Sequence, residues 1–362
     1  MGFKCGIVGL PNVGKSTLFN ALTKKINAEA ANYPFCTIEP NEGTVPVPDQ
    51  RVDTLSKISK SKKTIPTTLT FFDIAGLVKG ASKGEGLGNK FLSHIREVDA
   101  IVHVVRCFKD DNITHVNNTI DPQDDISTIN TELILSDLEL ALKLKINYEK
   151  SKKKGDKDAE KKIYAADLII TQLEQGLPAS SCPKIDEIID DLSDFNLITL
   201  KPVIYVCNVD EKSLINGNNY TKNLSENIND EIILISAEIE SQISSLNHNE
   251  QLEYLEGLGL KESGLNKVIK KGYQILNLIT YFTSGEQETR AWTVTIGSKA
   301  PDAAGKIHTD FKSGFIRAET ISYNDFVECE GEIKAKELGK IRSEGKEYIV
   351  KDGDVMHFLF NN

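Results

Sequence analysis

The sequence predicts an α/β protein in which a parallel sheet carries helices on its faces and a smaller α+β domain follows. Apolar, strand-like runs alternate with helical patterns near the start of the chain and return after residue 200, which is typical of such a sheet. The chain has 362 residues, 40% of them hydrophobic, enough for two or three domains with buried cores. The expected strands of the sheet are Phe3–Val8, Thr68–Ile74, Ala100–Cys107, Lys201–Asn208 and Glu231–Ser236.

Residues 128–200 interrupt this alternation with a helical pattern. A lysine-rich stretch, Lys150–Lys162, separates a first periodic segment from a second one at Ile163–Leu173. We therefore expect two long helices joined at a charged tip. Such a tip is ordinarily a solvated end, and an RNA contact is the alternative. The apolar positions of the first helix are Leu133, Leu138, Leu142 and Ile146.

The last part of the chain changes character at about residue 279. The pattern before it predicts a helix over Leu265–Leu278, and short strands and turns follow. The sequence thus divides into a first domain of residues 1–127 and 201–278, an inserted helical arm of residues 128–200, and a C-terminal domain of residues 279–362. The strands expected in the C-terminal domain are Arg290–Ile296, Gly314–Glu319, Tyr348–Val350 and Val355–Phe360.

Composition and charge exclude several classes of protein. The formal net charge of -10 argues against a globally basic surface that coats nucleic acid, so any RNA contact would be local. No secretory leader and no membrane-spanning stretch are evident, and the scattered cysteines include no C-x-x-C pair. We expect a soluble cytoplasmic protein with reduced thiols, no membrane contact, and nothing that demands more than a monomer.

A glycine loop follows the first expected strand. Gly9–Thr17 reads Gly-Leu-Pro-Asn-Val-Gly-Lys-Ser-Thr and precedes a helical pattern. Backbone N–H groups of such a loop, with the helix N-terminus behind them, bind phosphate oxygens. Lys15 would reach the β- and γ-phosphates of a nucleoside triphosphate, and the Ser16 hydroxyl would bind Mg²⁺. The other expected nucleotide contacts in this loop are Asn12, Val13, Gly14 and Thr17.

Two further segments complete the expected phosphate and metal site. Asp73-Ile74-Ala75-Gly76 ends a strand as D-x-x-G, which places Asp73 to hold Mg²⁺ through water and the Gly76 amide near the γ-phosphate. Thr37 lies in the polar segment between the two motifs, where its hydroxyl can complete the Mg²⁺ shell. This segment would become ordered only with the γ-phosphate.

The expected base-reading element departs from the guanine pattern. GTPases use Asn-Lys-x-Asp, whereas this strand ends in Asn208-Val209-Asp210-Glu211. Adenine presents an acceptor at N1, which a carboxylate placed for guanine would oppose. We therefore expect ATP to be preferred, with the Asn208 side chain and backbone near Val209 reading the base edge. A variant that still prefers GTP is the alternative.

These motifs together resemble the YchF, or Obg-like ATPase, family, and the resemblance runs along the whole chain. It rests on the first loop, the strings Asn32–Glu42 and Asp73–Gly88, the Cys107-Phe108 pair, Asn208–Glu211, and two C-terminal strings, Arg290–Trp292 and Lys306–Phe311. The resemblance implies a P-loop G-type domain with an inserted antiparallel helical (coiled-coil) arm and a C-terminal TGS domain of β-grasp fold. It also implies ATP preference and association with ribosomes, at the large subunit. The family motif commonly ends in glutamate, which Glu211 matches.

Hydrolysis needs a polar group that the D-x-x-G motif does not supply. Leu77 follows the motif where Ras-like enzymes place a water-orienting glutamine. His115, in a polar loop after the third expected strand, is the candidate catalytic residue beside Lys15, with a surface or packing role as its alternative. His103 lies within an apolar run and is expected in the core. His94 could serve either role.

The sequence leaves further alternatives open. Asn12 could help coordinate K⁺ beside the phosphates, or could merely stabilise the turn. The chain could be an Obg-class GTPase, or a ribosome-binding module for which ATP is a structural ligand. In the C-terminal domain, basic and aromatic residues predict either ordinary strand packing or an RNA surface; they are Arg290, Trp292, Lys306, Phe311, Lys312, Phe315 and Arg317.

Overall fold

The computed structural model describes residues 3–30, 38–39, 41–74, 87–110, 119–228 and 231–361. Their strands are β1 Lys4–Val8, β2 Ile38–Glu39, β3 Glu42–Pro46, β4 Thr64–Ile65, β5 Thr68–Asp73, β6 Ala100–Arg106, β7 Val203–Asn208, β8 Ile232–Ile235, β9 Leu278–Ser284, β10 Thr289–Thr295, β11 Phe315–Ser322, β12 Arg342–Glu344 and β13 Asp354–Phe360.

The same residues form α1 Lys15–Ala30, α2 Gln50–Ser59, α3 Leu87–Arg96, α4 Pro122–Lys153, α5 Ala159–Glu174, α6 Ile185–Ile188, α7 Asn219–Asn227, α8 Ala237–Ile243, α9 His248–Gly257, α10 Gly264–Ile275, α11 Ala300–Ile307, α12 Thr309–Ser313, α13 Tyr323–Glu328 and α14 Glu332–Glu337. Among them no helix combines the length and apolar character needed to cross a bilayer.

The first sheet has the strand order β2-β3-β5-β1-β6-β7-β8. The strands from β5 to β8 are parallel, and β3 and β2 extend the β5 edge in antiparallel pairing. β6 is buried along its whole length, as expected for a central strand with helices on both faces. The mixed α/β fold class is confirmed, and the five expected strands are present with ends shifted by one or two residues.

Helices α4 and α5 form the inserted arm. Ion pairs join Lys152 to Glu160 at 3.1 Å and Lys145 to Asp167 at 2.5 Å, and this crossing order means that the two helices run antiparallel. Small residues, Ala141 and Ala165 among them, pack between the helices. The predicted apolar stripe is correct for Leu133 and wrong towards the tip, where Leu142 and Ile146 are exposed.

The second sheet has the order β12-β11-β13-β9-β10-β4. Its one parallel pair inside the C-terminal part of the chain is β9 with β13. The helix expected to reach Leu278 ends at Ile275 instead, because β9 begins at Leu278. The strand expected over Tyr348–Val350 is not formed; a single bridge joins Ile349 to Lys299 there.

The structure also departs from the expected domain boundary. The predicted first domain includes residues 50–65, yet β4 pairs with β10 of the second sheet. Helix α2 packs on the same sheet: Val52 and Leu55 lie in one buried cluster with Phe282, Ile321 and Phe326. A short segment between β3 and β5 therefore belongs to the C-terminal core.

Candidate phosphate and metal site

The glycine loop connects β1 to α1 with backbone conformations that side chains disfavour. Asn12 has a φ of 63° and Gly14 a φ of 101°. A Cβ at Gly14 would lie 2.4 Å from Nδ2 of Asn208, so only glycine fits between the loop and the end of β7. Val13 is buried, whereas Asn12, Ser16 and Thr17 are exposed. The loop thus presents its polar groups outward from the N-terminus of α1.

Lys15 lies at the first turn of α1 and is only 7% exposed. Its Nζ donates to the Leu10 carbonyl at 2.6 Å, across the loop. Burial lowers the pKa of Lys15 to about 8, although the nearby Asp73 carboxylate favours the charged form. A phosphate oxygen is a stronger acceptor for an ammonium group than a carbonyl, so an anion in the loop would compete for this side chain.

Ser16 and Asp73 come together as expected for an Mg²⁺ site. The Ser16 hydroxyl donates to Oδ2 of Asp73 at 3.3 Å. The other carboxylate oxygen, Oδ1, is buried and has no hydrogen-bond partner among the described residues. Burial raises the pKa of Asp73, while Lys15 and Ser16 oppose that rise. An unpaired, buried carboxylate oxygen beside a hydroxyl fits a hard cation with oxygen ligands.

This pair opens into a cavity of about 500 Å³. His94 of α3 and Asn41 of the β2–β3 hairpin line the cavity together with Ser16 and Asp73. The Asn41 carbonyl accepts from the Asp73 amide at 2.9 Å, and Asn41 has a φ of 64°. Asn41 is absent from the predicted site; the asparagine before Glu42 at the hairpin turn is the signal that could have found it. The described residues contain no cluster of three or more His, Cys, Asp or Glu that could hold a metal alone.

At the other end of the loop, the Asn208 side chain contacts the phosphate loop and the turn after β8. Its Nδ2 donates to the Val13 carbonyl at 2.9 Å, and its Oδ1 accepts from the Ala237 amide at 2.9 Å. The side chain is 5% exposed. Both ends of the amide bind backbone groups, so this contact pair fixes the phosphate loop. Nδ2 carries two N–H donors, so base reading by Asn208 stays a prediction.

The backbone of Val209 is also engaged, because its N–H donates to the Ile235 carbonyl at 2.8 Å. Glu211 is exposed at the start of a 3₁₀ turn that Asp210 caps. The turn after β8 is a second feature absent from the predicted site: Ser236 caps α8, and Ala237 binds Asn208. The signal for it is a serine directly after an apolar strand.

Thr37, Gly76 and His115 lie outside the described residues. The segment that contains His115 is preceded by Phe108 and Asp110, whose carbonyls accept from the buried Arg106 at 3.3 and 3.1 Å. His103 is 2% exposed, and burial lowers its pKa to about 3, so its expected place in the core is confirmed. A neutral, enclosed imidazole of this kind packs as a core residue.

The parallel part of the first sheet has a glycine loop between its first strand and the following helix. A lysine and a hydroxyl lie at the start of that helix, and an aspartate ends the adjacent strand. These features define a P-loop nucleotide-binding protein of the GTPase-like class. Family models agree with this class. Residues 4–143 match the MMR_HSR1 model, described as 50S ribosome-binding GTPase, and residues 278–361 match the YchF-GTPase_C model, described as a protein of unknown function.

Full-length relatives give the family. The chain is 56% identical to "Ribosome-binding ATPase YchF" of Haemophilus influenzae, and 53% identical to the Bacillus subtilis protein of the same name, over all of both chains. The solved structure of the Schizosaccharomyces pombe YchF GTPase has a TM-score of 0.89 at 40% identity and covers 99% of this chain and 98% of that chain. The chain belongs to the YchF family.

Proposed function

We propose that this protein is an Mg²⁺-dependent ATPase that binds the ribosome, at the large subunit, in a manner linked to its nucleotide state. The Ser16–Asp73 pair beside Lys15 is the observation that carries the nucleotide part of the proposal. The names of the bacterial relatives support the ATPase activity and the ribosome as partner. The place of action is the cytoplasm, and the protein works as a monomer.

The proposed nucleotide contacts divide by role. Ser16, Asp73 and Thr37 would hold Mg²⁺, which when bound neutralises charge on the β- and γ-phosphate oxygens. Lys15 would bind the same phosphates as a point charge, and loop amides from Asn12 to Thr17, with that of Gly76, would surround them. K⁺ beside Asn12 is a further part of the proposal, tested by turnover in potassium against sodium buffer.

Selectivity for the base is proposed to come from the end of β7. Glu211 is exposed there, whereas Asn208 and the Val209 amide are engaged by protein groups. The lysine of Asn-Lys-x-Asp is absent, and a longer acid stands in the last position. The bacterial relatives are named ATPases and the Schizosaccharomyces pombe protein a GTPase, so the names of the relatives do not agree on the base.

Isothermal titration of ATP and GTP at equal Mg²⁺ tests the proposal. We expect ATP to bind more tightly than GTP. We expect Glu211→Asp to reduce this difference in affinity, because it restores the aspartate that ends the guanine-binding Asn-Lys-x-Asp motif. Glu238→Asp, at an exposed position in the first turn of α8, serves as the matched control. Tighter binding of GTP by the unaltered protein would show that the base assignment is wrong.

His115 is proposed as the group that positions the attacking water. His115→Ala should remove most ATP turnover, by roughly 10³-fold if the imidazole fills the role of the missing glutamine, and should leave ATP affinity nearly unchanged. His94, which lines the cavity with Asp73, provides the comparison. If ATP turnover is unchanged in His115→Ala but lost in His94→Ala, His94 and not His115 positions the attacking water.

Ribosome co-sedimentation with Lys15→Ala and His115→Ala tests the link to nucleotide state. A cycling protein should respond differently to the two variants, because the first loses the triphosphate and the second retains it. If both variants associate equally with the ribosome in every nucleotide state, ribosome binding does not depend on ATP binding or hydrolysis.

A further inference from the structure

The two central strands of the C-terminal sheet separate along their length. β9 and β13 run parallel and pair at one position, Phe282 with Val355. Just before it, the Gly353 amide donates to the Thr280 carbonyl at 2.8 Å. Beyond Phe282 the described residues form no further ladder contact between the two strands. The sheet therefore carries a wedge-shaped opening at its centre, with a strand edge on each side.

This opening, which we call the β9–β13 wedge, holds a cavity of about 570 Å³. Thr283 and Ser284 line one side, and residues 355–358 with Phe360 line the other. A parallel pair in the middle of a sheet normally continues its ladder, because unpaired backbone groups inside a fold are costly. Unpaired edges next to a cavity are the feature that an added peptide strand uses for binding.

The walls of the wedge are aromatic. Phe360 stacks on Phe311 with ring centroids 3.8 Å apart, and Trp292 donates its indole N–H to the Thr283 hydroxyl at 3.0 Å. Trp292, Phe311, Phe326, Phe358 and Phe360 all line the cavity. Rigid aromatic walls bind apolar side chains or the stems of long ones at little cost in side-chain entropy.

The rim of the wedge is acidic. Its lining includes the carboxylates of Glu286, Glu288, Glu319 and Glu332 and no lysine or arginine. Three cations lie next to lining residues: Arg317 is 3.5 Å from Glu319, the Arg290 guanidinium lies 4.1 Å from the Trp292 ring centroid, and Lys62 Nζ donates to Oε1 of Gln287 at 3.3 Å. Glu286, Glu288 and Glu332 form no ion pair with the described residues. Carboxylates of one sign around an apolar cleft attract cations and repel phosphates.

We propose that the β9–β13 wedge binds an extended, lysine- or arginine-rich segment of a protein partner. The segment adds backbone hydrogen bonds to the open strand edges, its apolar residues enter the aromatic cleft, and its cationic residues meet the glutamates of the rim. The same charges disfavour RNA at this place, so the wedge is a protein-binding element.

Trp292 makes the proposal directly measurable, because it is the single tryptophan of the chain and lies in the wall of the wedge. The probe is an eight-residue peptide that alternates lysine with valine, added to the full-length protein while Trp292 emission is followed. We expect a saturable change in emission. A peptide with glutamate in place of lysine should produce none, and N-methylation of alternate amides in the lysine peptide should weaken binding by removing its ladder donors.

Charge reversal at the rim supplies the matched test. Glu286→Lys with Glu288→Lys should weaken the lysine–valine peptide by about tenfold, since two attractions become repulsions. Glu253→Lys with Glu256→Lys, on exposed positions of α9, makes the same change in net charge far from the wedge and should alter the affinity less than about twofold. Thermal unfolding followed by circular dichroism checks that both double variants are folded.

The outcomes separate clearly. If both double variants lower the affinity for the peptide equally, the binding depends only on overall charge and the proposal is wrong. If the lysine–valine peptide binds saturably but Trp292 emission does not change, the peptide binds elsewhere and the proposal is wrong. A uridine oligonucleotide that changes Trp292 emission, where the lysine peptide does not, would make the wedge a nucleic-acid site and the proposal wrong.

Discussion

Lys15 illustrates how a single residue takes its chemistry from its surroundings. An exposed lysine would remain charged well above neutral pH, whereas burial lowers the pKa of Lys15 to about 8. A bound triphosphate stabilises the ammonium and so raises its pKa again. Nucleotide binding near pH 8 therefore takes up a fraction of a proton at Lys15.

The consequence for pH dependence has a definite sign. The free protein holds Lys15 protonated below about pH 8, so ATP affinity should be full there and should fall by about tenfold for each pH unit above it. Titration calorimetry at pH 8 in buffers of different ionisation enthalpy measures the proton uptake directly. Lys201 is the matched control, because burial lowers its pKa to about 8 as well, away from the loop. Lys201→Arg should leave the proton uptake on ATP binding unchanged. If the proton uptake is lost in that variant, Lys15 is not the titrating group.

Asn208 shows what residue patterns can and cannot predict. The end of the strand and its polar cluster are visible in the sequence. The two backbone partners of Asn208 are not, because Val13 and Ala237 are 195 and 29 residues away along the chain. A sequence pattern indicates which side chains lie at one edge of a sheet, but the pairing of an amide depends on how closely three loops approach one another.

At the scale of elements, helix α3 is tied to the root of the helical arm through a buried carboxylate. Asp137 of α4 is 0% exposed. Its oxygens accept from the Arg96 guanidinium at 2.9 Å, from the amides of Ile198 and Thr199 at 3.0 and 2.7 Å, and from the Thr199 hydroxyl at 2.8 Å. Four donors around one carboxylate join the end of α3, the arm and the approach to β7.

Removing that carboxylate should be costly. Asp137→Ala would leave the Arg96 charge without its carboxylate partner and two amides without their acceptor, and we expect the free energy of unfolding to fall by about 3–5 kcal/mol. Urea unfolding followed by far-ultraviolet circular dichroism measures the loss. Asp167→Ala, in the exposed pair with Lys145, is the control and should cost less than about 1 kcal/mol. Similar losses in both variants would contradict a special role for the buried carboxylate.

Local patterns predict most elements because each depends on a periodicity readable over a few residues. The departures have physical reasons: β4 has two residues, too few for a period, and exists by pairing with β10. Leu142 and Ile146 follow helical spacing, yet beyond Ala141 it is Leu144 and Tyr148 that pack into the core of the arm, while Leu142 and Ile146 are exposed. Pairing and helix packing are properties of the folded chain.

At the scale of the whole molecule, α2 joins the C-terminal core across the expected boundary. Leu55 is 0% exposed in a cluster with Phe282, Ile321 and Phe326. Arg51 adds a salt bridge to Asp352 at 2.6 Å, and Asp352 in turn accepts from the Thr280 amide at 2.9 Å. The C-terminal sheet is thus completed by residues that lie far earlier in the chain.

Leu55→Ala tests this dependence. We expect it to destabilise the C-terminal sheet by about 2–5 kcal/mol through lost burial and a cavity. Because Trp292 lies in that sheet, its emission during urea unfolding isolates the transition of this part of the molecule. Leu252→Ala, at a position 53% exposed on α9, should change it by less than about 0.5 kcal/mol. An unaltered Trp292 transition in Leu55→Ala would show that the sheet is stable without α2.

The packing of residues 50–65 on the second sheet also determines how the molecule dissociates after proteolysis. The backbone enters the C-terminal core after β3, leaves it before β5 and enters again at β9, so three covalent crossings join the two sheets. A protease that cuts the link between Ile275 and Leu278 severs only one of them. The resulting fragment should stay attached through α2 and β4 in native gels and separate only in denaturant.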